Sequence, residues 1–234
     1  MELILKLIAL YFFGSVQTGI IHHNGGGSDP TPPPTPSTGG NDITSWFKQE
    51  DFDTLFAYMD YSACNNSGLF TYDSLVGAAK KYQDQGFLNS DNLDDNKMEL
   101  AAFLGQASHE TTGGGGNWTY SLPGSPSPYE FGFCFWDEIN GYMLSYCLPG
   151  DGTTDACTAS GMPFECPCDP NDLSKSYHGR GPLQISLNVN YAAFGHQINN
   201  DEILKNPDIL TEQPQLAFEV FIQYCYTDET LLHV

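Results

Sequence analysis

The sequence contains few basic residues and a single arginine, Arg180. Eight Lys and Arg stand against 29 Asp and Glu, so the formal net charge is -21. This imbalance argues against nucleic acid or an anionic membrane as a partner, because the field of the protein would repel both. An uncharged or cationic ligand fits the composition better.

The sequence also lacks an apolar run long enough to span a membrane. The apolar segment at residues 7–13 follows Lys6 and is succeeded by smaller and polar residues. It is shorter than the roughly 20 residues that a spanning helix needs, and it has the pattern of a secretory signal. We therefore predict that residues 1–19 are a signal peptide, and that the protein is secreted, extracellular and free of membrane contact after signal removal.

Two further segments follow this signal. Residues 25–40 consist of Gly, Ser, Asp, Pro and Thr, a composition that cannot form a core and that predicts an extended linker over residues 20–44. The remaining residues, 45–234, are long enough for one core. Because the whole chain is 40% hydrophobic and 13% aromatic, they are predicted to form one globular domain.

Four segments of this domain show the apolar spacing i, i+3, i+4, i+7 of an amphipathic helix. Asp94 and Asp95 are placed to cap the third segment, and Pro214 suits the start of the fourth. Gly and Pro clusters fill residues 113–170, so we predict a mainly helical domain with long irregular loops. The four apolar sets are Phe52, Leu55, Phe56 and Met59; Leu75, Ala78, Ala79 and Tyr82; Leu100, Phe103, Leu104 and Ala107; and Leu216, Ala217, Val220 and Phe221.

The first candidate site motif runs from Ser108 to Gly114. Glu110 comes two helical turns after Phe103, so its side chain is predicted to share the apolar face of the third helix. A carboxylate among apolar neighbours keeps its proton closer to neutral pH, as a general acid must. The pair His109-Glu110 also suggests a zinc protease, but that motif needs a second His where Gly113 stands. We therefore predict neither a metal nor another cofactor.

The second motif runs from Tyr177 to Ser186 and reads Tyr-His-Gly-Arg-Gly-Pro-Leu-Gln-Ile-Ser. Together with the first motif and the segment Gly132 to Asn140, it resembles the active-site signature of the plant-type chitinases, glycoside hydrolase family 19. The resemblance covers about residues 45–228. It implies a mainly α, lysozyme-like (α+β) catalytic domain with two helical lobes and long disulfide-tied loops.

The resemblance also implies an activity, the endo-acting hydrolysis of β-1,4-linked N-acetylglucosamine polymers with inversion. In that reaction one carboxylic acid protonates the leaving oxygen while a second carboxylate activates water on the opposite sugar face. Glu110 corresponds to the acid and Glu138 to the base, with Ser186 helping to hold the water. Asp137 and Glu130 are rivals for the second role, and the aligned Cys134-Phe135 pair selects Glu138.

Several other residues of the two motifs are predicted to bind the sugar. Amide side chains suit uncharged sugars, and aromatic faces suit their rings, although ordinary core packing accounts for the aromatics equally well. The single arginine is expected in the wall of the cleft, where it would hold carboxylates in place. The predicted substrate contacts are His109, Thr111, Trp136, Tyr177, Arg180, Gln184 and Asn190.

Seven cysteines in an exported chain predict disulfides with one thiol left over. The family resemblance implies a bridge between Cys64 and Cys134. We predict two further bridges, with open connectivity, and we expect Cys225 on the last helix to be a buried free thiol. The four cysteines of these two bridges are Cys147, Cys157, Cys166 and Cys168.

The resemblance has one large departure. Family members continue for several dozen residues beyond the position of Val234, so the chain resembles a C-terminally truncated member whose second lobe is incomplete. Two alternatives to a monomeric chitinase therefore stay open. One is a non-catalytic chitin-binding or truncated relic, and the other is a lysozyme-like hydrolase of peptidoglycan.

Overall fold

A computed structural model describes residues 42–62, 64–65, 68–112 and 128–226. The predicted signal peptide and most of the predicted linker lie outside these residues.

Helices dominate the described residues, where strand pairing is limited to isolated bridges, so the prediction of a mainly helical fold is confirmed. The α-helices are α1 (Ile43–Trp46), α2 (Gln49–Leu55), α3 (Tyr72–Tyr82), α4 (Leu93–Thr111), α5 (Ala156–Ala159), α6 (Asn188–Gln197), α7 (Glu202–Lys205), α8 (Ile209–Glu212) and α9 (Pro214–Tyr226). Single 3-10 turns lie at Gln83–Gln85, Pro128–Phe131, Gly141–Met143 and Leu173–Lys175.

Three of the predicted amphipathic segments form helices α3, α4 and α9. The first is helical only in its first half, because α2 ends at Leu55, before Phe56 and Met59. The start of α4 differs from the prediction, because Asn92 rather than Asp94 or Asp95 caps it. The Asn92 side chain accepts a hydrogen bond of 3.0 Å from the Asp94 amide. The two aspartates lie in the first helical turn instead, where their charges face the positive end of the helix dipole.

The domain begins earlier than the sequence predicts. Asp42 caps α1 through a 2.9 Å bond from the Thr44 amide, and Ile43 is buried in the core. The last residues of the predicted linker, 42–44, thus form the cap and the start of α1. A single buried isoleucine after a polar stretch produces no periodic signal, so the pattern could not locate this start.

Helix α9 lies between two hydrophobic cores. Its Ala217, Phe218, Phe221 and Ile222 pack with α1 to α4, and Phe221 stacks on Phe103 of α4 at a centroid distance of 4.0 Å. The opposite side of α9 belongs to the second core, which it shares with helices α6 to α8. The buried residues of that second core are Tyr177, Ile185, Tyr191, Phe194, Ile203, Leu210, Leu216 and Val220.

Three disulfides tie the loops to these cores. Cys64 pairs with Cys134, as the family resemblance implies, which links the chain after α2 to the segment that carries Glu138. The other two bridges join Cys147 to Cys168 and Cys157 to Cys166.

Cys225 is free, as predicted, but it is exposed rather than buried. It lies in the last described turn of α9, beyond the buried residues Phe221 and Ile222. No helix within the described ranges combines the length and apolar character needed to cross a bilayer.

An ion pair between the half-exposed Lys81 and the nearly buried Glu219 joins α3 to α9 and provides a stability test. The Glu219 carboxylate is nearly buried, and it accepts bonds from Lys81 Nζ at 2.5 Å and from Gln215 Nε2 at 3.0 Å. We expect Lys81→Met to lower the free energy of unfolding by about 1–3 kcal/mol, because it leaves a buried charge short of a partner. Urea unfolding measures the loss.

Lys80→Met is the matched control for this test. The neighbouring Lys80 pairs with Asp42 at 3.2 Å, and both side chains are about half exposed. An exposed pair of this kind contributes less than about 1 kcal/mol. Equal losses in the two variants would contradict the role of the pair between Lys81 and Glu219.

Candidate active site

Glu110 lies in the last turn of α4 and is half buried. Its Oε1 accepts a 2.7 Å hydrogen bond from Gln106 Nε2, one helical turn earlier. Its Oε2 has no hydrogen-bond partner among the described residues. The carboxylate is thus held by one amide and keeps one oxygen free, whereas the sequence predicted apolar surroundings alone.

Thr111 ends α4 and is fully buried. Its hydroxyl donates to the Ala107 carbonyl at 2.6 Å and accepts from the Phe133 amide at 2.6 Å, and its carbonyl accepts from the Phe135 amide at 2.9 Å. Thr111 therefore offers no exposed surface for the predicted contact with a sugar. Its role is to attach the chain at residues 133–135 to the end of the helix that carries Glu110.

The chain that follows pairs with the second motif. Trp136 O accepts a 2.7 Å bond from the Gly181 amide, and the Glu138 amide donates to Gly179 O at 2.9 Å. Antiparallel bridges also join Asp137 to Arg180 and Arg180 to Ile185. Thr111 and this pairing together link the Glu110 end of α4, the Glu138 segment and the second motif.

The Glu138 carboxylate is half buried, and each of its oxygens accepts one hydrogen bond. Tyr146 Oη donates to Oε1 at 2.6 Å, and the Gly179 amide donates to Oε2 at 3.0 Å. The bond to Glu138, with smaller effects of burial and of the Glu138 charge, raises the pKa of Tyr146 to about 12. The phenol therefore remains protonated, and remains a donor, across the neutral range.

The rivals of Glu138 have other surroundings. Asp137 Oδ1 lies 2.6 Å from His178 Nε2. Glu130 lies in the 3-10 turn at Pro128–Phe131, where burial raises the pKa of its carboxyl. Asp137 is thus already paired with a histidine.

His178 is buried between Ser176 and Asp137. Its Nδ1 lies 2.9 Å from Ser176 Oγ, and its Nε2 lies 2.6 Å from Asp137 Oδ1. Ser176 Oγ also lies 2.5 Å from the Leu144 carbonyl and 3.1 Å from the Gly141 carbonyl. The imidazole thus connects Asp137, the neighbour of Glu138, to the buried Ser176.

Arg180 is buried, and it does not line a cleft. Its guanidinium donates to Ser176 O at 2.8 Å, to Tyr191 Oη at 2.9 Å and to Asp208 Oδ1 at 2.6 Å. It holds a carboxylate, as predicted, but that carboxylate is Asp208 rather than one of the two site glutamates. The side chain is only 3% exposed, which leaves almost no surface for the predicted contact with substrate.

The polar residues at the end of the second motif, and Asn190 just after it, remain accessible. Gln184, Ser186 and Asn190 are each half buried. Gln184 Nε2 donates to Gly181 O at 3.0 Å, and Asn190 Nδ2 donates to Ser186 O at 2.7 Å. The Ser186 hydroxyl has no partner within the described part of the chain, so it is available to bind a water or a ligand.

The aromatic residues divide into two groups. Tyr177 is 1% exposed and donates to Leu204 O at 3.2 Å within the second core, so it has almost no surface for the predicted contact with substrate. Trp136 is half buried, and its Nε1 donates to Asn65 O at 2.5 Å. His109, next to Glu110, is also half buried. Trp136 and His109 keep surface that a ligand can reach.

Two other places in the described residues resemble sites and are weaker candidates. Asp155, Cys157 and Cys166 lie close enough together to surround a metal, but the two cysteines form a disulfide and offer no thiolate. A cavity of about 130 Å³ lies between α1, α2 and α4, with Asp51 as its one carboxylate. Neither place has two carboxylates on segments that hydrogen bonds join, as the segments of Glu110 and Glu138 are joined through Thr111.

Sequence patterns missed three residues that shape this region: Tyr146, His178 and Asp208. His178 is inside the second motif, but nothing in the motif indicates that its partner is Asp137. Tyr146 and Asp208 lie 8 and 28 residues from the groups that they bind. Separations of this kind carry no periodic signal, so only the fold reveals the contacts.

Comparison with known proteins identifies similar chains. The family model described as chitinase class I matches residues 47–231. An endochitinase of Pisum sativum is 38% identical over 195 residues, which are 83% of this chain and 52% of the relative. Inactive chitinase-like protein 1 of Hevea brasiliensis is 34% identical over 191 residues, which are 82% of this chain and 52% of that relative.

Among solved structures, a bacterial family 19 chitinase superposes with a TM-score of 0.52 at 26% identity. The match covers 77% of this chain and 68% of that chain. This chain spans about half the length of the curated relatives it matches.

The packing of Gly141 on His178 provides a test of the network beside Glu138. A Cβ at Gly141 would lie within 2.6 Å of the His178 ring at Cδ2. We expect Gly141→Ala to lower the free energy of unfolding by about 1–3 kcal/mol, because the ring must move from a packed position. Denaturant unfolding measures this change.

The control is the same substitution in a His178→Gly background. With the whole side chain removed, including the Cβ that would lie 2.5 Å from the new methyl group, Gly141→Ala should cost less there. The same cost in both backgrounds would show that the His178 side chain is not what the methyl group meets.

Proposed function

The chain belongs to glycoside hydrolase family 19, the chitinase class I family, and on that premise we propose that it is an endo-acting, inverting chitinase. Its substrate would be chitin or chitin oligosaccharides, the β-1,4-linked polymers of N-acetylglucosamine. The observation that carries the proposal is the different hydrogen bonding of two half-buried carboxylates, whose chain segments are joined through Thr111. Among the described residues, Glu110 has a donor on only one oxygen, and Glu138 has a donor on each oxygen.

Glu110 is the proposed general acid. Because Gln106 donates to Oε1, the proton of the acid form belongs on Oε2, which has no other partner in the described structure. From Oε2 the proton passes to the glycosidic oxygen while the bond from that oxygen to the anomeric carbon breaks. The leaving sugar departs as an alcohol, and Glu110 is left ionised.

Glu138 is the proposed general base. The donors on its two oxygens stabilise the anion, and each oxygen retains lone-pair capacity for a water proton. Glu138 takes that proton as the water oxygen attacks the anomeric carbon from the face opposite the leaving group, with the free hydroxyl of Ser186 helping to hold the water. The attack inverts the anomeric configuration. Exchange of protons with solvent then restores both carboxyl groups.

Uncharged polar groups around these carboxylates suit an N-acetylated sugar. Gln184 and Asn190 are accessible amides that can hydrogen-bond hydroxyl and acetamido groups, and Trp136 and His109 offer partly exposed rings. The net charge of -21 is compatible with a neutral polymer. Release of reducing ends from chitin and not from peptidoglycan would support this substrate, and the reverse result would replace it.

We place the protein outside the cell as a monomer. Three disulfides favour an oxidising compartment, because cytosolic thiols are kept reduced. The apolar segment at residues 7–13 supplies the export signal. Expression of the full chain with analysis of the medium tests the proposal, since cell-retained protein with an uncleaved N-terminus would contradict it.

A non-catalytic chitin-binding protein is the second candidate, favoured by the similarity to a relative named inactive. Retention of the protein on chitin beads without release of soluble sugar would support this candidate. Turnover of soluble oligomers would exclude it.

The first test of the mechanism is Glu110→Gln. The amide keeps the shape of the side chain but cannot donate an acidic proton, so we expect hydrolysis of a soluble chitin oligomer to fall by about 10²-fold or more. Circular dichroism should show an unchanged fold. Turnover close to that of the unmodified protein would remove Glu110 from the acid role.

The second test is Glu138→Gln with Glu130→Gln as its matched control. Loss of the base should reduce turnover by about 10²-fold or more, whereas the control should remain active. Proton NMR of the products of the unmodified protein should first show the α-anomer, because inversion converts a β-linkage to an α-product. An initial β-anomer, or inactivation by Glu130→Gln alone, would contradict the assignment.

A further inference from the structure

Tyr146 has a backbone conformation that tyrosine seldom adopts. Its φ of 53° lies in the left-handed region, which is costly for a residue with a bulky side chain. Such a conformation persists only where the surroundings impose it. Residue 146 is therefore held in place by its neighbours rather than by its own preference.

The constraints on Tyr146 come from both sides of the residue. The carbonyl of Ser145 accepts a 2.9 Å bond from the Tyr177 amide, and the carbonyl of Tyr146 accepts a 3.3 Å bond from the Asn188 amide. The next residue, Cys147, is bridged to Cys168. Three separate parts of the chain thus fix the backbone at this point.

The loop is also held by hydrogen bonds after residue 146. Asn188 is fully buried and accepts a 2.8 Å bond from the Leu148 amide, while its own amide donates to Leu148 O at 3.2 Å and to Cys166 O at 2.6 Å. The strained residue therefore lies on a loop that α6 and a disulfide hold firmly.

The conformation directs the Tyr146 phenol to Glu138. The Oη to Oε1 distance of 2.6 Å is typical of a strong hydrogen bond to a carboxylate, and the hydroxyl has no other partner in the described ranges. The ring lies near that of His178, with a centroid distance of 6.5 Å, and it packs against the second core. The ring is thus supported by packing, while the hydroxyl contacts only the carboxylate.

We propose that Tyr146 is a positioning residue for Glu138, a role that rests on the proposed function of Glu138 as the general base. The phenol fixes one carboxylate oxygen and the Gly179 amide fixes the other, so the plane of the carboxylate cannot rotate freely. The carboxylate is thus held in one orientation for taking a proton from water. The left-handed backbone conformation of residue 146 directs the phenol to this carboxylate.

Tyr146→Phe tests the proposal, because it removes the hydroxyl and keeps the ring, its packing and the backbone bonds. On a soluble chitin oligomer we expect kcat to fall about tenfold with little change in KM. The acidic limb of the activity profile should move to higher pH by about one unit, because the carboxylate anion loses one of its two donors. The matched control is Tyr142→Phe, four residues earlier and 64% exposed, which should leave activity and profile unchanged.

The outcomes separate the proposal from the function on which it rests. If the unmodified protein is inactive, or Glu138→Gln remains active, both ideas fall. If Glu138→Gln is inactive while Tyr146→Phe has an unchanged kcat and pH profile, only the positioning role is wrong. A loss of activity with a lower melting temperature and an unmoved profile would also overturn it, since that result describes a purely structural residue.

Discussion

The candidate site depends on a short antiparallel pairing between residues 136–138 and 179–181. The pairing rests on the hydrogen bonds between Trp136 and Gly181 and between Glu138 and Gly179. In a mainly helical domain this contact has no sheet to support it. Its support comes from residues 133–135 just before it, where Thr111 binds the backbone and Cys134 forms a disulfide. The Glu138 carboxylate is therefore fixed relative to the end of α4 by backbone contacts.

The charges behind this pairing are arranged in compact pairs. The lone arginine is buried, and it joins Ser176, Tyr191 and Asp208 behind the second motif. His178 Nε2 lies 2.6 Å from Asp137 Oδ1, and its Nδ1 lies 2.9 Å from Ser176 Oγ. In both pairs the basic side chain is buried and the aspartate is partly exposed, so each pair joins the interior to the surface. Removing either basic side chain would leave its aspartate without this partner.

The two cores set the larger geometry. Helix α9 is buried on both sides, so α4 with Glu110 and the second motif with Gln184 and Ser186 pack against a common element. Sequence periodicity predicted α9, α4 and their apolar faces, because a 3.6-residue repeat of apolar side chains is typical of a helix with one buried face. It did not predict α6, in which nearly every residue from Asn188 to Gly195 is buried and no polar face remains to mark the period.

Motif resemblance and fold made separate contributions to the site. Sequence patterns were enough to predict a mainly helical domain, an amphipathic helix that ends near Glu110, and a family match for the residues around Glu138 and Ser186. Which motif residues face outward is visible only in the fold. Thr111, Tyr177 and Arg180 belong to the motifs but are buried, whereas Tyr146 lies outside them and binds Glu138. The reason is physical: local spacing determines which residues share a face, but the partner of a side chain depends on distant segments that packing brings together.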